Sequence, residues 1–198
     1  MALIRFVFII VLCGSCANLE TDLQEVHSDE LRLDQNGGIL YHNDIPFSGY
    51  SVDYYPNDTV KAKSISYRDG KKEGLYKKWY KDGTLSYKAD YSNGKKNGTS
   101  ETWWKDGTLR SKSHFLLGVI EGKQEQWYRS GAKFKELNYL HGKEEGMQRA
   151  WRENGKIYNN YEAKNGRIFG LKRANLCFQL EDETIVYNSY EEYDEIQD

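Results

Sequence analysis

Glycine recurs in this 198-residue chain at an almost constant interval. The positions are 49, 74, 98, 122, 146 and 170, so every interval is 24 except the first, which is 25. A period between about 20 and 50 residues is typical of chains built by stacking copies of one small unit, in which each copy is stabilised by its neighbours. We therefore expect a repeat array rather than a domain with a single central core.

The residues between the glycines repeat at the same offsets. In one copy, Trp79 and Tyr80 are followed by a glycine turn and then by Tyr91. The positions that we expect to shape every unit are Trp79, Trp103, Trp127 and Trp151 together with Gly74, Gly98, Gly122 and Gly146. The first copy is looser than the others, and the last has Arg152 and Ala163 in place of aromatic residues.

The turn sequences predict two β-strands in each unit. Segments of eight or nine residues flank Asp82-Gly83, and Asp-Gly before an apolar residue is a strong hairpin signal. Asn93-Gly94 then supplies a second turn, in which glycine permits a positive φ. The sequence thus predicts an all-β fold, an elongated antiparallel meander of about five 24-residue β-hairpin repeats at residues 49–170. Five hairpins would extend for roughly 50 Å.

Strict alternation of side chains predicts which residues share a face of the sheet. On that basis Trp79 lies on a buried face with Leu85 and Tyr91, and Tyr80 lies on the opposite, outer face. The outer face would then present a ladder of aromatic residues as a candidate binding face: Tyr55, Tyr80, Trp104 and Tyr128. Aromatic surfaces concentrate binding energy, but aromatic pairs across strands also stabilise sheets, so both roles stay open.

Basic residues recur where one unit joins the next. These candidate basic turns contain Lys71, Lys72, Lys95, Lys96, Lys143 and Arg167. They are candidates for a partner-binding surface, and the alternative is that they protect strand edges from aggregation. Val119 and Ile120 interrupt the basic series in the third copy.

Residues 1–15 differ from the rest of the chain. Arg5 precedes a run of eight apolar residues, which is too short for a permanent membrane-spanning helix and is typical of a secretory signal peptide. Gly14 and Ser15 before Cys16 are similar to the lipobox of bacterial lipoproteins, in which the cysteine is lipidated. We therefore expect Cys16 to carry a membrane anchor, and the alternative is an ordinary signal peptide with incidental cysteines.

The net charge of −2 conceals an uneven distribution. Residues 17–34 contain six acids and one base, residues 181–198 contain eight acids and no base, and residues 35–180 contain 26 bases and 16 acids. We predict a signal peptide at 1–15, a lipid-anchored acidic tether at 16–34, an N-terminal cap at 35–48, the repeat array at 49–170, C-terminal capping strands at 171–188 and an acidic tail at 189–198. Whether the tail lies on the basic body stays open.

Two segments of each unit carry a resemblance to a known family. The segments WYKDG (79–83) and YSNGKKNG (91–98) have counterparts such as WYRSG (127–131) and YLHGKEEG (139–146), and this pattern of four to five copies resembles the bacterial variant of the MORN repeat. Proteins of this type are often labelled YwqK-like antitoxins. The resemblance implies a β-hairpin array that binds proteins or membranes and has no catalytic residues. The antitoxin role implies a cytosolic toxin as the partner, which the signal segment disfavours.

We therefore expect a monomeric, non-enzymatic scaffold that binds a protein partner in a bacterial cell envelope. Carbohydrate recognition is an alternative, because Trp-Tyr pairs followed by Asp-Gly are similar to choline- and glucan-binding repeats, although those repeats are shorter. Binding of phospholipid head groups is another alternative, since a basic body attracts anionic lipids. We expect no nucleic-acid partner, because an exported chain seldom meets one.

Nothing in the sequence predicts catalysis. The histidines, His27, His42, His114 and His141, are not paired with a fixed nucleophile, and the chain lacks phosphate-loop, Gly-x-Ser-x-Gly and Cys-x2-Cys motifs. We expect no cofactor and no metal site. Cys177 is expected to pack as a small hydrophobe in the last strand, and the alternative is a redox or soft-metal role with Met147.

Overall fold

A computed structural model describes residues 23–56 and 59–171 of the chain. These residues form β-strands and one short 3₁₀ helix at Ser28–Glu30, and this part of the chain contains no α-helix. The strands are β1 (Glu25–His27), β2 (Arg32–Asp34), β3 (Ile39–His42), β4 (Ile45–Pro46), β5 (Gly49–Tyr54), β6 (Lys61–Arg68), β7 (Lys71–Trp79), β8 (Leu85–Ser92), β9 (Lys95–Trp103), β10 (Leu109–Leu116), β11 (Val119–Ile120), β12 (Gly122–Trp127), β13 (Lys133–Leu140), β14 (Lys143–Glu144), β15 (Gly146–Trp151), β16 (Ile157–Lys164) and β17 (Arg167–Leu171). The predicted signal peptide, Cys16, Cys177, residues 172–188 of the predicted capping strands and the acidic tail lie outside the described residues.

The long sheet is a continuous meander. Fourteen strands belong to it, and its order follows the chain from β5 to β17, with β11 and β14 as short extensions beside β10 and β13. The five copies of the repeat form the hairpins β5–β6, β7–β8, β9–β10, β12–β13 and β15–β16, all antiparallel. The predicted all-β meander of hairpins is thereby confirmed. The exception is β1, which pairs with β5 in parallel at the first edge of the sheet.

A small unit covers this first edge. β2, β3 and β4 form a separate three-stranded antiparallel sheet. Val26, Leu40 and Phe47 make the buried apolar cluster of the unit, and Leu31 and Tyr67 pack against it. The unit and β1 thus occupy the end of the sheet where unpaired backbone groups would otherwise favour edge-to-edge association.

The predicted acidic tether at 16–34 is too long. The structured unit begins at Glu25, whose carboxylate forms an ion pair with Lys61 of β6. Apolar residues are interspersed with the acids of this segment, and burying Val26 and packing Leu31 offset the entropy lost on ordering it. The acid count alone therefore placed the boundary too late.

Gly70 joins the small unit to the array. Its backbone N–H donates to the carbonyl oxygen of Phe47 at 2.8 Å, and its own carbonyl oxygen accepts from the N–H of Leu40 at 2.9 Å. The φ of Gly70 is +76°, and a Cβ atom at this position would lie 2.8 Å from the carbonyl oxygen of Leu40. Because that contact is with backbone, only glycine fits here.

Every hairpin contains a register shift near its closing turn. In the second hairpin Lys78 pairs with Tyr87, whereas Trp79 pairs with Leu85, so Ser86 is an extra residue in β8. The other four hairpins shift at the same place. A β-bulge of this kind changes the side to which residues beyond it point, relative to strict alternation.

The bulge makes one prediction about the faces wrong. Trp79 pairs with Leu85 as expected, but both are half-buried rather than buried, and Tyr91 lies on the opposite face, where its ring centroid is 6.1 Å from that of Tyr76. The prediction continued strict alternation through Ser86, and the extra residue reverses it. We call the face that bears Tyr76 and Tyr91 the aromatic face, and the opposite face, which bears Lys77 and Lys88, the charged face.

The buried side chains of the array are mostly small or polar, and most of them lie on the aromatic face; Val52 and Asn160 are buried on the charged face. Those on the aromatic face include Ala89, Ser100, Gln124, Gln148 and Ala150. Gln148 is fully buried; its side-chain oxygen accepts from the N–H of Asn138 at 3.0 Å and its Nε2 donates to the carbonyl oxygen of Asn138 at 2.7 Å. Hydrogen bonds of buried polar side chains such as Gln148 therefore stabilise the interior of the array, where a globular domain would have large apolar side chains.

Candidate binding surface

The four residues of the predicted aromatic ladder connect successive hairpins. Each donates a hydrogen bond from its polar end to the carbonyl oxygen of the tryptophan in the next copy: Tyr55 to Trp79 (2.7 Å), Tyr80 to Trp103 (2.9 Å), Trp104 to Trp127 (3.3 Å) and Tyr128 to Trp151 (2.9 Å). All four side chains are half-buried. The ladder therefore stabilises the stacking of one repeat on the next, whatever else its rings contact.

Trp104 and Tyr128 also line an open cleft on the aromatic face, with a volume of about 540 Å³. The guanidinium of Arg110 lies 4.4 Å from the centre of the Trp104 ring, and the Tyr128 ring is 4.9 Å from that of Phe134. Two of the four predicted ladder residues thus present ring surface to a concave, partly polar site.

Lysines and rings alternate along the aromatic face. The ring of Tyr76 lies 5.2 Å from that of Tyr87 and 6.1 Å from that of Tyr91. The Lys72 ammonium is 5.5 Å from the centre of Tyr76 and 5.3 Å from that of Tyr91, and the Lys78 ammonium is 5.4 Å from Tyr76. A cation within about 6 Å of a ring face is attracted by the ring's quadrupole, so the rings hold these lysines in place.

The structure separates the basic residues that the sequence groups together. Lys72 and Lys96 lie within strands β7 and β9, and the Lys96 ammonium is 5.5 Å from the Tyr87 ring and 4.7 Å from the Phe115 ring. The other four are exposed at the edge where the inter-repeat turns stack: Lys71, Lys95, Lys143 and Arg167. All six residues belong to strands rather than to the turns themselves: these four begin β7, β9, β14 and β17, and alternation directs Lys72 and Lys96 onto the aromatic face.

Carboxylates are missing from the middle of the aromatic face. Between residues 72 and 139, all of which the structure describes, strand pairing places Asp90, Glu101, Glu125 and Glu136 on the charged face, and the other four acids lie beside the turns at the sheet edges. Five bases lie on the aromatic face in the same stretch: Lys72, Lys78, Lys96, Arg110 and Lys135. This face therefore combines aromatic rings with an excess of positive charge.

On the charged face, bases and acids form ion pairs. Lys123 lies 2.9 Å from Glu136, and Lys133 lies 2.6 Å from Glu125. The hydrogen bond from Lys133 holds the pKa of Glu125 below its ordinary value, and the hydrogen bond to Glu136 raises the pKa of Lys123. Burial acts to raise the pKa of Glu136, but hydrogen bonds from the two lysines outweigh it, and the pKa is lowered. Together with the pair of Lys112 and Glu101, these pairs neutralise three of the bases on this face.

A further set of repeated contacts, outside the predicted site residues, joins the inter-repeat turns. The side chain before each periodic glycine accepts a hydrogen bond from a backbone N–H in the next turn. The acceptors are Ser48, Glu73, Asn97, Glu121 and Glu145, and the donors are the N–H groups of Asp69, Asn93, Leu117, His141 and Asn165. The signal in the sequence is an oxygen-bearing side chain immediately before each glycine from 49 to 146.

The third of these turns is apolar. Leu117 has a φ of 50°, a left-handed conformation that leucine rarely adopts, whereas the other four turns place Asp69, Asn93, His141 and Asn165 there. Leu116, Leu117 and Val119 are exposed to 51%, 62% and 46%. The interruption at Val119 and Ile120 is thus a local apolar patch at the edge of the sheet.

The histidines lie apart from one another and make local contacts. The His27 ring accepts from the N–H of Asp29, and His141 Nδ1 lies 3.6 Å from a carboxylate oxygen of Glu121. In residues 23–56 and 59–171, no three His, Cys, Asp or Glu side chains are grouped as metal ligands. Within the same ranges, no helix combines the length and the apolar character needed to cross a membrane.

Comparison with known protein families identifies the repeat. Residues 72–93 and 96–116 match the family described as MORN repeat variant. The two matches correspond to the hairpins β7–β8 and β9–β10, where lysines and rings alternate on the aromatic face. No match was found among curated proteins. MORN repeats are repeat scaffolds of membrane-associated or binding proteins and are not typically catalytic. A MORN repeat variant is therefore present at residues 72–116 of this chain.

Proposed function

We propose that this chain is a non-enzymatic repeat scaffold that binds a protein partner at the surface of a bacterial membrane. In this proposal the partner docks on the aromatic face between Lys72 and Lys135. One observation carries the proposal: the bases on this face lie over rings with no carboxylate beside them, whereas three bases of the opposite face, Lys112, Lys123 and Lys133, pair with acids. The positive charge of the aromatic face is thus available to a ligand.

The chemistry of this face suits a protein interface. Aromatic residues and arginine are enriched where binding energy concentrates, and the ring contacts already restrict their rotamers, so less conformational entropy is lost on binding. Arg110 over Trp104, beside Tyr128, lines the cleft of the face and is our candidate for its centre. The flanking lysines would attract an acidic partner and favour its association rate.

The experiment compares the two faces at equal charge. A variant with Lys78→Gln, Lys96→Gln and Arg110→Gln removes three bases from the aromatic face, and a control with Lys77→Gln, Lys88→Gln and Lys112→Gln removes three from the charged face. After cross-linking in membranes, we expect the first variant to lose the partner that the wild-type chain recovers and the control to keep it. Equal recovery from both variants would contradict the proposal.

The membrane location rests on Cys16, which we propose is lipidated after removal of residues 1–15. The support is the sequence alone: a short apolar run followed by small residues and a cysteine. Metabolic labelling with a fatty acid should mark the wild-type chain and not the Cys16→Ala variant. Labelling that is unchanged in the variant would show that Cys16 is not the anchor.

Binding of anionic phospholipid is a second candidate function, and the excess of bases on one face is the observation that favours it. Each basic residue near an anionic surface contributes about 1 kcal/mol of attraction. The Cys16→Ala chain, which lacks the proposed anchor, should then float with phosphatidylglycerol vesicles and not with phosphatidylcholine vesicles. Flotation that is lost in the aromatic-face variant, together with unchanged protein recovery, would favour lipid over a protein partner.

A further inference from the structure

The aromatic face and one end of the chain have opposite charge. Between residues 72 and 139 the face carries five bases and no carboxylate, as its strand pairings show. Residues 181–198 contain eight acids and no base, together with Tyr187, Tyr190 and Tyr193. The charged face is a poorer complement, because it bears four carboxylates of its own and three of its bases already pair with Glu101, Glu125 and Glu136.

The chain that links the array to residues 181–198 is long enough for these residues to contact the aromatic face. The last described strand ends at Leu171, and nine residues separate it from Glu181, which span roughly 30 Å when extended. Six strand intervals separate β17 from β9, where Lys96 lies, and at about 4.8 Å each they amount to roughly 29 Å. The acidic residues are therefore within reach of Lys96, and the stretch 182–198 extends that reach to Lys72 and Lys78 in β7.

We propose that residues 181–198 of this chain bind to the aromatic face of the same molecule. Their carboxylates would lie against the ammonium groups of Lys72, Lys78 and Lys96. A tethered segment has an effective concentration in the millimolar range, so weak contacts are enough to occupy the face. The contact itself does not depend on the proposed function. Its consequence rests on that function, since a segment on the aromatic face competes with any partner that docks there.

The test uses Lys77 and Lys78, which are adjacent in the chain and point to opposite faces. A water-soluble carbodiimide joins a lysine amine directly to a carboxylate that it contacts, and mass spectrometry of the full chain identifies the joined residues. We expect cross-links from residues 181–198 to Lys78 to exceed those to Lys77 at least about fivefold, and to decline at high salt because the attraction is electrostatic. Equal cross-linking of the two lysines would overturn the proposal.

Two controls keep the result specific. Replacing Glu191, Glu192, Asp194 and Glu195 by their amides, half of the acids of the segment, should strongly decrease the Lys78 cross-links, whereas amides at Glu20 and Asp22, which are also acidic residues outside the array, should leave them unchanged. A mixture of ¹⁵N-labelled and unlabelled chains distinguishes contacts within one molecule from contacts between two. Cross-links that join labelled to unlabelled peptides as often as expected from random mixing would contradict a contact within one molecule.

The same variants separate this proposal from the proposed function. If the tail competes with a partner, amides at Glu191, Glu192, Asp194 and Glu195 should increase recovery of the partner in membranes severalfold. Cross-links to Lys78 without any partner recovered would support the tail contact and contradict the proposed function. A partner recovered through the aromatic face without cross-links to Lys78 would support the proposed function and contradict the tail contact.

Discussion

On the aromatic face, the Lys96 ammonium lies 4.7 Å from the centre of the Phe115 ring, whereas on the charged face Lys112 lies 3.5 Å from a carboxylate oxygen of Glu101. Both lysines belong to the same hairpin, β9–β10. The two faces therefore differ less in how many bases they carry than in what the bases contact. Rings hold a cation without neutralising it, and carboxylates neutralise it, so only one face keeps its positive charge for a ligand.

A second contrast lies between the N-terminal unit and the repeat array. The N-terminal unit has a small apolar core of Val26, Leu40 and Phe47. The array has buried Gln148 and Ala150 instead, and its repeats are joined by backbone and side-chain hydrogen bonds. We infer that satisfying the buried polar groups on the aromatic face stabilises the array more than the ion pairs of the charged face do. Substitutions on the two faces should therefore differ in the size of their effect.

Removing the buried amide of Gln148 should have the largest effect. Gln148→Leu leaves both the N–H and the carbonyl oxygen of Asn138 without their side-chain partner, and we expect a loss of about 3 kcal/mol in the free energy of unfolding. Gln124→Leu is the matched control: the Nε2 of Gln124 donates to the carbonyl oxygens of Glu121 and His114, but its Oε1 accepts no hydrogen bond in the described residues, so no backbone N–H loses a partner. Its loss should be about 1 kcal/mol in urea unfolding, and equal losses would contradict a special role for the Gln148 amide.

Removing one hydroxyl from the ladder should have an intermediate effect. Tyr128→Phe keeps the ring but loses the 2.9 Å hydrogen bond to the carbonyl oxygen of Trp151, and we expect a loss of about 1 kcal/mol in the free energy of unfolding. Tyr80→Phe should behave alike, since it breaks the equivalent bond to Trp103. If Tyr128→Phe instead leaves stability unchanged and weakens partner recovery, the hydroxyl serves binding rather than folding.

Acid should weaken the charged face. The pKa values of Glu125 and Glu136 are lower in the folded chain than their ordinary value of 4.5. Their pairs with Lys123 and Lys133 therefore contribute stability above about pH 4.5, and this stability is lost as the pH falls through the lower folded values. We expect a Glu125→Gln, Glu136→Gln variant to lose less stability than the wild-type chain between pH 6 and pH 3, by about 1 kcal/mol in urea unfolding. If the free energies of unfolding of the variant and the wild-type chain fall in parallel over this pH range, the ion pairs do not contribute to stability.

A change at the edge should affect neither face. Leu117 occupies a left-handed conformation that asparagine adopts at the equivalent positions of two other turns, and Leu117→Asn should increase the free energy of unfolding by about 0.5 kcal/mol. Thermal unfolding measures the gain, and the acid sensitivity of the charged face provides the control because it should not change. A loss of stability would show that the exposed leucine has an apolar contact that it needs.

The sequence by itself determined the repeat, the hairpins and their turns. These follow from interactions over a few residues. Asp82-Gly83 and Asn93-Gly94 favour particular turns, and the regular glycine period indicates that each copy forms the same hairpin. The hydrogen bonds of Glu73 and its equivalents could also have been predicted, since an oxygen-bearing side chain stands before each glycine from 49 to 146. Their partners lie in the next turn of the array, so these hydrogen bonds can be recognised only once the stacking of the turns is known.

Only the tertiary structure decided what each face contacts. The bulge at Ser86 moved Tyr91 to the side opposite Trp79, and a single extra residue is enough because side chains alternate with a period of two. The environment of Lys96 depends on Tyr87 and Phe115, which come from the neighbouring strands on either side. Composition therefore indicated a basic, aromatic array, and cross-strand register determined which of its charges are neutralised and which stay available.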